Sequence, residues 1–455
     1  MVARPDRTGD ETVATMNRSL LPATVHRQDD GTTLVWMSRR DVPVVSISIE
    51  CMAVSQDGRR DEPARTDLAA GLLNEGIDGT KPIEWHRRLE RDALSISASS
   101  TPIYWRAEMD CMSEDLDGAR ALLSQWLAAP GLPRSEWKRL KKTARASARQ
   151  QWAQPAAVID PLASVQAMGY GYPHAHPVFE KSVARAQYDD ACAAARAAYR
   201  RGRQCIATIG GDVDEPTARR VLEELVAPIP NGAADPDEPA PTSSRQRIWV
   251  LDNRQVDQVF FAMTRPGVRA NDPQRIALKL ADYMIGGGAF SSRLMMAVRS
   301  AMGHTYGIHS TLPFEPVPDV FRIQSFTKID SLRDVLGLID TELQKILDEG
   351  FREDELKDAQ DHLHGAVPLG LISPEDILDT VAHGHRAGLS IEDLEQRWAS
   401  IRQTTLEETN AAAARLIGDR SFHVALIGPA KEVLPQVEGR GEALVRPFKA
   451  PPDEW

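Results

Sequence analysis

The chain has 455 residues, 42% of them hydrophobic, and a formal net charge of −11 with a pI near 5.6. That length suits two domains of about 200 residues each, and the acidic balance argues against a nucleic-acid binder, which would carry a basic footprint. The four cysteines (Cys51, Cys111, Cys192 and Cys205) are scattered without a CxxC pair, which argues against a zinc ribbon, a redox motif or a disulfide framework and leaves buried free thiols.

Residues 1–12 lack the apolar core of a signal peptide. No window offers about 18 consecutive apolar residues, so no membrane span is expected. A cytoplasmic protein follows, or a periplasmic one if a leader has been removed. Leu34–Met37 and Val45–Ile49 read as strands, the second with the alternation of a half-buried strand. Residues 66–76 read as an apolar helix ending near glycine and followed by Gly79-Thr80. A helix from about Arg134 carries Lys138, Lys142, Arg145 and Arg149 at i, i+4, i+7 and i+11, and residues 137–159 contain no acid. His174 and His176 lie in a Gly/Pro-rich loop. The strand Ile206–Gly210 closes this half. Residues 228–245 hold five prolines among acids and small residues; such a segment cannot bury a core and reads as a linker.

Beyond the linker the order repeats. Ile248–Leu251 and Val259–Met263 have the spacing of the first strand pair. A helix over 273–285 follows, then one from about Arg352, then the strand Val424–Gly428. The last two correspondences share an offset of 218 residues, which indicates an internal duplication. Residues 1–227 and 246–455 are therefore read as two homologous α+β domains, each a mostly antiparallel sheet with helices packed on one face.

The second half holds the most informative stretch. Gly286, Gly287 and Gly288 predict a sharp turn with φ > 0. Ser291 and Ser292 can cap the next helix, whose apolar Leu294, Ala297, Val298, Ala301 and Met302 follow the helical period. Gly303 is a suitable stop, and a strand from about His304 carries Tyr306. Arg299 in the last helical turn and Tyr306 at the strand start can meet at one sheet edge. On spacing alone, the macrodipole favours that arginine and core packing accounts for that tyrosine. Later, Ser373-Pro374-Glu375 is a helix start and nothing more.

The chain resembles the pitrilysin and mitochondrial-processing-peptidase family, the inverzincins, whose signature is His-x-x-Glu-His on the first apolar helix. Two histidines four apart bind zinc, and the glutamate activates water. Aligned on Gly79-Thr80, those positions hold Ala70, Leu73 and Asn74. The family's third ligand, a glutamate on a later helix, falls in the acid-free segment 137–159. The remaining histidine pairs, His362/His364 and His383/His385, are spaced i, i+2, about 200° apart on a helix, and cannot grip one ion. The resemblance implies no metal and no cofactor in this chain, with zinc in a partner.

In the second half, the same resemblance assigns Arg299 and Tyr306 to substrate and oxyanion contacts made in trans. It assigns Gly286, Gly287, Gly288 and Phe290 to substrate binding. The implied protein is a non-catalytic, substrate-binding subunit of a heterodimeric zinc metallopeptidase, one half of a clamshell chamber. Its partner would be a homologous subunit bearing His-x-x-Glu-His. Its substrates would be short or unfolded peptides, bound partly by adding a strand to a sheet edge, with no nucleic acid or membrane involved. One alternative is a structural or peptide-binding family member without a peptidase role. A third reading, a self-sufficient metallopeptidase with replacement ligands, is decided by measuring bound zinc.

Overall fold

The computed structural model describes residues 19–52, 61–101, 103–175, 177–202, 205–232, 240–302 and 307–448; at 289 and 299–302 it describes the backbone. The first half runs β1 (Thr24–Arg27), β2 (Thr33–Ser38), β3 (Val44–Met52), α1 (Glu62–Leu73), α2 (Pro82–Arg91), β4 (Ser95–Ser100), β5 (Tyr104–Met112), α3 (Leu116–Ala128), α4 (Arg134–Gln151), α5 (Pro155–Met168), α6 (Glu180–Arg185), α7 (Tyr188–Ala197), β6 (Cys205–Gly211) and α8 (Glu215–Val226). The second runs β7 (Ile248–Asp252), β8 (Gln258–Pro266), β9 (Val268–Arg269), α9 (Arg275–Asp282), α10 (Arg293–Met302), β10 (Ile308–Thr311), β11 (Phe314–Glu315), β12 (Val320–Lys328), α11 (Leu332–Glu349), α12 (Glu353–Leu369), α13 (Pro374–Arg386), α14 (Ile391–Ser400), α15 (Leu406–Ile417), β13 (His423–Gly428), α16 (Ala430–Val433) and β14 (Ala443–Pro447).

Two six-stranded mixed sheets result, ordered β1-β2-β6-β3-β5-β4 and β10-β12-β8-β13-β7-β14. Read from opposite ends, five strands correspond one to one. The sixth differs: β1 is a hairpin partner antiparallel to β2, whereas β14 joins β7 in parallel. The fold is thus α+β and duplicated. The register refines the match. Leu34 pairs with Ala207, and Ile248 pairs with Val424. Ala207, not Ile206, is therefore the counterpart of Val424, one residue off the offset read from sequence. A one-residue slip exchanges the faces of a strand, and burial agrees: Ala207 and Val424 each face their own half's core.

In β3, Val45, Ile47, Ile49 and Cys51 face the core of the first half, while Ser46, Ser48 and Glu50 point the other way. That other face is not left bare. Helix α13 of the second half packs across β2 and β6, and α5 of the first half packs across β8 and β13. Each sheet is covered by its own helices on one side and by one helix of the opposite half on the other. Polar anchors fix the exchange. Gln166 Nε2 donates to Arg247 O at 2.9 Å, and His385 Nε2 shares a hydrogen bond with Thr33 Oγ1 at 2.8 Å. A buried ion pair joins Glu50 to Arg386, whose guanidinium lies 4.7 Å from the Tyr104 ring centroid. Arg106 bonds Ser48 at 3.1 Å, lies 3.3 Å from Glu50, and pairs with Asp379 of α13. Close packing also needs Gly210: a Cβ there would sit 2.7 Å from Leu378 Cδ1.

Candidate functional site

Helix α1 starts earlier than the sequence suggests, with Pro63 in its first turn, and ends at Leu73. Its stop comes from Asn74. The Asn74 side chain leaves the helix and grips the edge strand β4: Nδ2 donates to Ala98 O at 2.9 Å, and Ala98 N donates to Oδ1 at 2.6 Å. A primary amide is the side chain that can satisfy one outward-facing N–H and C=O together. Ala70 and Leu73 are buried. Leu73 joins the core with Trp126, Tyr199 and Ile229, and Trp126 Nε1 donates to its carbonyl at 2.8 Å. None of the three positions presents a metal ligand. Among the described residues, no three His, Cys, Asp or Glu side chains come together as a metal site.

The segment expected to supply the third ligand is cationic. Arg145 and Arg149 of α4 close on Glu180 of α6, at 2.7 and 2.6 Å. Hydrogen bonds from Arg149 and then Arg145 hold the Glu180 carboxyl down at about 2. Lys138 and Lys142 are exposed. The histidines serve structure. His383 Nε2 donates to Phe314 O at 2.8 Å, His174 Nε2 to Val317 O at 3.0 Å, and His362 stacks on Tyr283 at 4.8 Å.

In the second half the glycine triplet departs from its reading. Residues Tyr283–Gly287 form a π turn continuing α9, and none of Gly286, Gly287 and Gly288 has φ > 0. Close approach is what requires glycine here. A Cβ on Gly286 would stand 2.6 Å from Ser310 N, and one on Gly288 2.8 Å from Tyr283 O. Asp282 anchors this turn to the edge strand β10: Ser310 Oγ donates to Oδ1 at 2.7 Å, and burial raises the Asp282 pKa. Ser291 Oγ donates back to Gly288 O at 2.9 Å, and α10 begins at Arg293. Arg299 stands in the last turns of α10 with its side chain outside the described residues. Tyr306 and the expected strand start near His304 also lie outside them, and β10 begins at Ile308. Phe290 is 72% exposed. At both matching edges, then, the helix end lies against the outer strand. Strand addition, expected from sequence, meets an edge already occupied at Ala98.

Residues 185–363 match the family profile described as the peptidase M16 inactive domain. The crystal structure of a peptidase M16 inactive domain from Pseudomonas fluorescens superposes with a TM-score of 0.81 at 22% identity, covering 90% of this chain and 98% of that one. The chain is thus similar to the M16 peptidases, over residues 185–363 in sequence and over most of its length in fold. The Helicobacter pylori protein named non-peptidase homolog YmxG is 22% identical over 348 residues, 75% of this chain and 79% of that protein. An uncharacterized zinc protease of Mycobacterium bovis, Mb2805c, is 30% identical over 167 residues. That match spans only 37% of the mycobacterial protein.

Two features of this chain escape sequence reasoning. One is the role of Asn74, since its partner Ala98 is remote in sequence. The other is Asp67, one turn before Ala70. Its side chain is reached by solvent yet densely surrounded, and burial pushes its carboxyl up to about 6, only partly offset by a hydrogen bond with Ser100. The signal available was a charged residue on the mostly apolar α1.

Proposed function

We propose that this M16 chain is the non-catalytic, substrate-binding subunit of a two-chain zinc peptidase that cleaves short or unfolded peptides. The observation that carries this reading is the state of α1. The three positions of the zinc motif hold Ala70, Leu73 and Asn74, two of them buried and the third bonded to strand β4. The match to an inactive M16 domain and the likeness to a protein named a non-peptidase homolog support it. The partner would carry His-x-x-Glu-His and the metal.

This chain would contribute the other half of the site through Arg299 and Tyr306. A guanidinium and a phenol can donate to the oxyanion of a tetrahedral intermediate, and losing one such donor typically costs about 10²–10³ in rate. The exposed Phe290 and Met296 beside this segment give the peptide or the partner an apolar contact. With Ala98 already bonded, an added peptide strand belongs on the partner's sheet and not on this one.

The test is proteolysis of an unfolded peptide by the chain alone and mixed with an M16 partner bearing the motif. Activity is expected only in the mixture, with a loss of about 10²-fold for Arg299→Ala or Tyr306→Phe. Zinc-dependent cleavage by this chain alone, or full activity in both variants, overturns the reading.

A further inference from the structure

Arg275 opens α9 and Arg397 lies in the last turn of α14, and they converge on one acceptor. Arg275 Nη1 donates to Ala270 O at 3.2 Å, and Arg397 Nη1 donates to the same oxygen at 2.9 Å. Arg397 Nη2 reaches Asn271 O at 3.0 Å, and the Arg275 guanidinium lies 4.9 Å from the Phe314 ring centroid. Among the described residues, neither guanidinium has a carboxylate oxygen within 4.0 Å. The nearby acids make their hydrogen bonds and contacts elsewhere, while Glu315 acts on Arg275, and Asp393 and Asp272 act on Arg397, at longer range. Asp272 pairs with Arg415 at 2.6 Å, Asp379 with Arg106, and Glu315 lies 3.9 Å from His383. Asp393 accepts from Ser390 N at 2.8 Å and Glu408 from Thr405 N at 2.8 Å. Burial and the neighbouring Arg397 push the Arg275 pKa down to about 10, and burial lowers that of Arg397 as well. Two like charges that hydrogen-bond carbonyls, with acids acting on them only at longer range, are an arrangement that an anion completes.

The pair also faces open volume. A cavity of about 310 Å³ between α9, α13 and α14 is lined by both arginines with Asp379, which pairs with Arg106, and with Thr380, His383, Leu394 and Trp398. A second, of about 340 Å³, shares both arginines and adds polar Gln274, Ser400, Gln403 and Thr404 with the capping carboxylate Glu408. Planar guanidinium groups match the two oxygens of a carboxylate, and Trp398, Leu394 and Ile276 offer an apolar wall beside them. We propose that this cleft is an oxyanion site for the carboxylate of a short apolar peptide, its C-terminus. The site would act whether or not a zinc-bearing partner exists, so it stands independently of the subunit reading.

Calorimetric titration of the full chain separates the possibilities. The probes are one short apolar peptide with a free C-terminal carboxylate, the same peptide amidated, and inorganic phosphate. The acid should bind at least tenfold tighter than the amide, and weaken as salt is added. Arg397→Gln should lose at least tenfold, and Arg397→Lys, which keeps charge without the fork, should fall between. Because Arg397 also ties down residues 270–271, Trp398→Ala serves as a second variant: it should weaken the peptide acid while leaving phosphate unaffected. Equal binding of acid and amide overturns the proposal, as does equal binding by wild type and a folded Arg397→Gln. Binding of phosphate without the peptide acid overturns the carboxylate assignment.

Discussion

The amide of Asn74 can be removed with little other change, which makes it the sharpest probe of what holds the end of α1 against the sheet. Asn74→Ala, and Asn74→Leu as a variant of similar volume, delete both hydrogen bonds to Ala98. Each such bond contributes a net of about 0.5–1.5 kcal/mol. Losing the pair should therefore ease local opening of β4 by about 1–3 kcal/mol, or roughly 5- to 140-fold at 1.4 kcal/mol per decade. Native-state hydrogen exchange reads this directly. The Ala98 amide should exchange about 5- to 140-fold faster in both variants, because its N–H then faces water alone. The Ser97 amide points toward β5 by strand alternation and should change far less. If Ala98 exchange stays within twofold of wild type in both variants while the protein remains folded, the Asn74 amide does not close the sheet edge, and its structural role at the end of α1 is refuted.

Other perturbations test the frame around it. Glu50→Gln leaves Arg386 buried without its countercharge, and should lower stability by about 3–5 kcal/mol, read as a shift in the urea midpoint. Asp67 has a folded pKa of about 6 against an ordinary 3.8. The folded state thus holds a proton that the unfolded state has lost between those values, and stability at this group is full below pH 4 and falls as pH rises through 6. Asp67→Asn should accordingly raise Tm at pH 7 and leave it nearly unchanged at pH 4; a Tm gain equal at both pH values would contradict this. Gly286→Ala should destabilise by about 1–3 kcal/mol through overpacking against Ser310, whereas Gly337→Ala, in mid-helix with no atom within 4 Å of the added Cβ, should stabilise by about 0.5–1 kcal/mol. Thermal unfolding of the two variants should move in opposite directions.

The strand pairs were legible because an equal spacing separates Leu34 from Val45 and Ile248 from Val259, and both spacings end in the same sheet positions. The linker was legible only in part, for Ile229 is buried in the first core, and Thr242 N and Ser244 N donate to carbonyls of α5. What single-segment patterns hid was contact between halves. Helix α5 is apolar nearly all round, with Val158, Ile159, Leu162, Val165 and Met168 all buried. That pattern marks a helix covered on every side, but not by which sheet. The glycine triplet misled for a related reason: glycine serves either a positive φ or a close approach, and the sequence does not say which. The partners that decide it, Ser310 and Tyr283, become visible only when α9 is laid against β10.

The position of Leu73 bears most directly on the absence of a catalytic carboxylate from α1. In the family resemblance this residue stands where a glutamate would activate water, yet in this chain it packs against Trp126 and Tyr199 in the first core. Returning a carboxylate to this point would bury it among aromatic rings, where desolvation disfavours the charged form. Returning a histidine at Asn74 would also release the β4 backbone, leaving an edge N–H and C=O unpaired, and unpaired edges invite association with other strands. At the two most telling of these positions the chain holds residues with structural roles, one filling the core and one closing the sheet, and those roles oppose a catalytic glutamate or a zinc ligand at the same points. In the second half, by contrast, Asp282 and the glycine turn are tied to β10 while Phe290 and Met296 beside them stand exposed.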